Sequence, residues 1–137
     1  MSYAVSAALQ TAVYGALNAS SALNALIGNA VYDAEPAGKL PASYVSLGGE
    51  RARDRSDKSG AGAVHEFDIA VVTEAEGFLT AKQIAAAVSD ALVGADLNLS
   101  RGRLVFLNFA RARAARAEKG RIRRIDLTFR ARVQDDQ

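Results

Sequence analysis

Cysteine is absent from the 137 residues, and histidine occurs once, at His65. The first absence excludes disulfides, thiolate metal sites and cysteine nucleophiles. The second excludes any site that needs two imidazoles. Tryptophan is also missing, and Pro36 and Pro41 are the only prolines. No apolar run approaches the roughly 20 residues of a membrane span. The N-terminus lacks the basic and apolar regions of a secretory signal. These gaps point to a soluble, intracellular chain with little catalytic equipment.

What is present suits one domain over residues 1–137, since most domains hold roughly 100–150 residues. Half the residues are hydrophobic and 23% are charged, which excludes a disordered chain. The formal charge of +2 conceals a polarised distribution. Residues 1–50 carry net −2, 51–60 net +2 and 61–100 net −5; residues 101–137 hold eleven basic against four acidic side chains. Such asymmetry suits interaction surfaces of opposite sign.

The hydrophobic periodicity predicts the elements. Val5, Leu9, Val13 and Leu17 recur every fourth position, which predicts a helix over 3–27. A break falls near Asn18–Ser21, where Ser20 or Ser21 can cap a short second helical piece ending at Gly28. Val31-Tyr32 is extended, Pro36 to Pro41 is a loop, and Tyr44 to Leu47 is a strand ending at Gly48-Gly49. Residues 50–63 show no apolar period and are expected to form a long exposed loop. Val64 to Thr73 alternates, with His65, Phe67, Ile69 and Val71 on one face. Thr80, as N-cap, starts a helix through Val93.

Leu104–Ala117 and Ile122–Val133 are strand candidates joined by a turn centred on Lys119-Gly120. That register sets Arg113 opposite Asp126. A helix over Ala110–Ala117 is an alternative, because Ala and Arg favour helices. Residues 134–137 are expected to be a flexible tail. The order implies an α+β fold, a mostly antiparallel four- to five-stranded sheet with two helices packed on one face.

Catalytic readings find little support. His65 and Glu66 adjoin on a strand and point to opposite faces, so with Ser56 or Ser59 they make no relay. Asp54/Asp57 and Asp135/Asp136 lie in a loop and a tail, without the burial that separates the pKa values of an acid–base pair. His65 reads instead as a strand-edge histidine with its hydrogen bonds satisfied. No phosphate-binding glycine motif occurs, and neither cofactor nor metal is expected. The basic cluster Arg111, Arg113, Arg116, Arg121, Arg123 and Arg124 lies about the second hairpin and could meet phosphates. The scarcity of aromatics beside it argues against base stacking. A stand-alone, non-specific nucleic-acid-binding module is therefore the alternative function.

The ordered features resemble the phage tail completion, or tail terminator, proteins that join heads to tails. The pattern comprises an Ala/Leu-rich helix (Ala7–Leu26), Val31-Tyr32-Asp33 with Pro36, and Leu40-Pro41-Ala42-Ser43-Tyr44-Val45-Ser46-Leu47-Gly48. Ala42-Ser43 is an insertion where many relatives have Pro-Tyr directly. Asp54-Arg55-Ser56-Asp57-Lys58, His65-Glu66-Phe67-Asp68-Ile69, the helix Ala81–Leu92 and the Arg-rich hairpin complete it. The Ala- and Arg-rich style is most similar to members from gene transfer agents.

The resemblance implies a non-enzymatic structural protein without cofactors. It implies a homo-oligomer, a hexameric ring that caps the tail tube and docks it onto the capsid connector, with DNA passing through the lumen. The partners would be further copies, the connector or stopper protein, the major tail tube protein and, transiently, DNA. The setting would be the head–tail junction of a phage-like particle assembled in the bacterial cytoplasm, without membrane contact. On that expectation Arg111, Arg113, Arg116, Arg121, Arg123 and Arg124 line an interface or the lumen. Arg51, Arg53, Asp54, Arg55, Asp57 and Lys58 form a docking loop.

Overall fold

A computed structural model describes residues 3–34, 38–56 and 61–135. The chain begins with helix α1 (Ser6–Ala19) and helix α2 (Ser21–Ile27). Val5, Leu9, Val13 and Leu17 are all buried, as fourfold spacing requires of one helix face. The break falls at Ser20, whose backbone turns extended and whose hydroxyl accepts the amide of Leu23 at 3.1 Å. This N-cap separates the two helices. The break lies where the sequence places it, and α2 is the short second helical piece expected there.

Strand β1 (Val31–Tyr32) precedes β2 (Ser43–Asp54) and β3 (Ala61–Thr73). Pro36, at the head of the expected loop between β1 and β2, lies outside the described residues. Helix α3 (Leu79–Leu92) follows, then β4 (Arg103–Ala117) and β5 (Ile122–Asp135). The sheet order is β1-β2-β3-β5-β4. Among the described residues only β1–β2 is parallel; the other neighbours are antiparallel. The fold is thus α+β with a mostly antiparallel sheet, as the order of elements suggested.

One sheet face is apolar. Phe67, Ile69 and Val71 of β3 join Ile125, Leu127, Phe129 and Val133 of β5 in the core. Leu9, Val13 and Leu17 of α1 and Ile84, Val88 and Leu92 of α3 cover them. Phe129 is fully buried, stacked on Phe67 at 5.8 Å and met edge-on by Phe109 at 6.1 Å. The opposite face is charged, except at one end, where Tyr44 and Val72 pack with Tyr32, Leu40 and Ile122.

Several expectations change. The loop over 50–63 is mostly strand: Glu50–Asp54 complete β2 and Ala61–Ala63 begin β3, with Arg51 opposite Glu66 and Arg53 opposite Val64. Arg51 and Arg53 fit there because their face is open to solvent, and Arg51 meets an opposite charge, Glu66, across the ladder. The connection shrinks to 55–60, of which Asp57, Lys58, Ser59 and Gly60 lie outside the described residues. Gln134 and Asp135 are likewise strand, not tail, paired with Gly62 and Ala61. The remainder of the expected tail, Asp136 and Gln137, lies outside the described residues. Phe78, not Thr80, is the N-cap of α3, and it makes no side-chain cap bond.

The second hairpin has the expected register from Arg111 to Ala117, with Arg113 opposite Asp126. Its turn spans Glu118 to Arg121, and Glu118, Lys119 and Gly120 all adopt positive φ. Bulges between Leu104/Phe106 and Phe109/Arg111 shift the rest of β4.

Candidate functional site

His65 sits mid-sheet, not at a strand edge: β3 lies between β2 and β5, and the side chain is fully buried. Its Nδ1 lies 3.1 Å from Glu50 Oε2. Glu50 also accepts Ser6 Oγ at 2.9 and 3.0 Å, and the hydroxyl of Tyr3. A carboxylate on β2 thereby fastens the start of α1 to the sheet. Ser56 takes no part, because its hydroxyl donates to Asp54 Oδ1 at 2.6 Å and accepts the amide of Gly62. His65 Nε2 has no hydrogen-bond partner among the described residues. This is a structural clasp rather than a nucleophile–base pair: Ser6 donates to the carboxylate, not to the imidazole. The sequence pattern does not announce it, because Glu50 opens a charged stretch with no apolar period.

The charged sheet face is the larger feature. Strand alternation sets Arg51, Glu66, Arg130 and Asn108 in one row across four strands. Arg130 grips Glu66 Oε2 through Nε at 3.2 Å and Nη2 at 2.8 Å. Arg111 and Arg51 approach Glu66 Oε1 at 3.4 and 3.6 Å. The hydrogen bond from Arg130, helped by the charges of Arg111 and Arg130, holds the Glu66 carboxyl below its ordinary value. In the next row Thr128 donates to Asp68 at 2.7 Å. Arg124 pairs with Asp126 of its own strand at 3.1 Å.

The six hairpin arginines therefore do not form one patch. Arg111, Arg113 and Arg124 share the charged face, and Arg111 and Arg124 are engaged there. Arg116 and Arg123 pair across the ladder on the helix side. Arg123 lies 5.7 Å above the Phe78 ring and donates to Gly120 O, a cation–π contact. Arg121 stands in the turn, 3.8 Å from Glu118. Arg113 and Arg116 make no ion pair among the described residues. Of the other candidates, Arg51 and Arg53 lie on the charged face of β2. Asp54 closes the turn by accepting Ser56 N at 3.0 Å and Oγ, and that hydroxyl lowers its pKa. Arg55 O accepts Arg132, and Asp57 and Lys58 lie outside the described residues.

No cluster of three or more His, Asp or Glu side chains placed to hold a metal ion occurs among the described residues. What the arrangement offers chemically is contact: a charge-laddered face, hairpin arginines such as Arg113 and Arg116 without ion pairs among the described residues, and open sheet edges.

The chain matches the family model described as Tail completion protein gp17 over residues 11–134. No curated protein matches it. Among solved structures it is similar to a chain in a structure titled "Virion of native gene transfer agent (GTA) particle". The two share 66% identity with a TM-score of 0.92, over 97% of this chain and 99% of that one.

Proposed function

The chain belongs to the tail completion protein family, and from that premise we propose that it is the tail terminator of a phage-like particle. It forms a ring, six copies by the family resemblance, that caps the tail tube and docks it to the capsid connector. DNA passes through the lumen. The observation that carries this reading is the whole-chain likeness, at 66% identity, to a component of a gene transfer agent virion. The sheet supports it physically. A ring needs unlike faces that repeat head to tail until they close. This subunit offers two different open sheet edges and a charge-patterned face.

A free-standing nucleic-acid-binding module is less well supported. Arg51, Arg111, Arg124 and Arg130 already face carboxylates on the same sheet, which leaves fewer cations for phosphates. Electron microscopy of particles made without the protein tests the reading. Filled heads and separate tails are expected, with joining restored when the purified protein is added. Normal joined particles in its absence would contradict it.

A further inference from the structure

The sheet ends in two unlike edges, and both are open over the same level. On one side β1 covers β2 only at Val45 and Ser46. From Leu47 to Asp54 the outer edge of β2 has no backbone partner among the described residues. On the other side Gly94 donates to Leu107 O at 3.0 Å and caps β4 there. From Asn108 to Ala117 the outer edge of β4 is bare among the described residues. Open edges seek strands.

The levels correspond. Across the sheet, Phe109 aligns with Phe129, Phe67 and Glu50, and Asn108 with Arg130, Glu66 and Arg51. Three antiparallel steps separate β2 from β4, so the two edge strands run in opposite directions. Rotation about an axis parallel to the strands keeps those directions. A copy placed beside another in this way meets its neighbour antiparallel, as inside the subunit.

The side chains correspond too. Phe109 is 48% exposed and points to the helix side of the sheet. At its level, beside the β2 bulge between Leu47 and Glu50, the same side carries a shallow notch lined by Leu9, Val13, Leu47 and Phe67 together with Gln10, Glu50 and Asp68. Its volume of about 30 Å³ seats the edge of a ring rather than a whole one. On the charged side, Arg113, without an ion pair among the described residues, starts the row Asp126, Ala70 and Ser46, which ends at Tyr32 of β1, one residue before Asp33. Ser46 lines a depression together with Asp33, Asp68, Asp126 and Arg124, three carboxylates against one cation.

We propose that Asn108–Ala112 of β4 pairs antiparallel with Leu47–Arg51 of β2 in a second copy of this chain. The sheet then runs on from copy to copy, Phe109 covers the neighbour's notch, and Arg113 faces the neighbour's Asp33. This rests on the ring reading above and names the contact that closes the ring.

The absence of native cysteine makes crosslinking a clean test. Asn108→Cys and Arg51→Cys are introduced together and separately, and assembled particles are oxidised. The double variant should give a ladder of linked chains, while each single variant stays monomeric on a denaturing gel. A linked dimer from Asn108→Cys alone would mean β4 meets β4, and overturns the proposal. Rings seen by microscopy without any ladder overturn this interface but leave the ring reading standing. Particles in which the protein is present as isolated single copies overturn both. As a second variant, Phe109→Asp should lower the yield of joined particles about tenfold or more, as loss of a buried aromatic anchor does. An unchanged yield, with the melting curve showing a folded protein, counts against it.

Discussion

Two glycines separate what backbone and side-chain space each demand. Gly102 has φ +68, and a Cβ there would lie 2.4 Å from Gln134 O and 3.0 Å from Val5 Cγ2. Backbone strain and a collision with main chain coincide, so Gly102→Ala should lose about 2 kcal/mol or more of unfolding free energy. Gly15 lies within α1 with open space where its Cβ would be. Gly15→Ala should therefore gain about 0.5–1 kcal/mol through helix propensity. Urea titrations of both variants check the opposite signs. Glu66 supplies a pH dependence. Its pKa lies below the ordinary 4.5 in the folded chain, so its contribution is complete above 4.5 and fades as the pH falls through the folded value. The melting temperature should drop over that acid range, and Glu66→Gln should flatten the drop. An acid limb of equal slope in both proteins would show that other carboxylates control it.

Elements differ in how far local sequence announces them. The stripe Val5, Leu9, Val13, Leu17 and the alternation of β3 and β5 are legible, because burial on one face writes a period into the chain. The outer half of β2 is not. Glu50–Asp54 carry charge at four of five positions, and what makes them strand is a ladder to β3 that local pattern does not encode. The bulges in β4 likewise follow from how β5 fits against it. Of the candidate site, the charged face of β5 is legible from alternation, whereas its division into engaged and unengaged arginines depends on Glu66, Asp68 and Asp126. The Glu50 clasp is hidden for the same reason as its strand. It also predicts an element-level effect. Glu50→Ala leaves a buried His65 nitrogen without its partner, which costs about 1–3 kcal/mol. It frees Ser6 as well, so hydrogen exchange should rise in the first turn of α1 before it rises in β5. Equal rises in both would show that the clasp is not what fastens α1.

At the scale of the molecule the two layers are electrically unlike. No charged side chain occurs from Met1 to Tyr32, so α1 and α2 present a neutral exterior, while the uncovered sheet face is a grid of guanidinium and carboxylate groups. Within that grid, engaged and unengaged arginines should respond differently to substitution. Arg130 makes two hydrogen bonds to Glu66. Arg130→Glu sets two carboxylates side by side and should lower the melting temperature by a few degrees, as like charges across a ladder do. Arg113 has no ion pair among the described residues. Arg113→Gln, which removes the charge without setting a carboxylate opposite Asp126, should leave the melting temperature within about a degree, since exposed charges contribute little to stability, yet reduce the fraction of tails joined to heads. Melting curves and counts of joined particles, taken on the same two variants, check both halves. A shared pattern, with stability and joining falling together in each, would mean that the sheet face acts through folding alone.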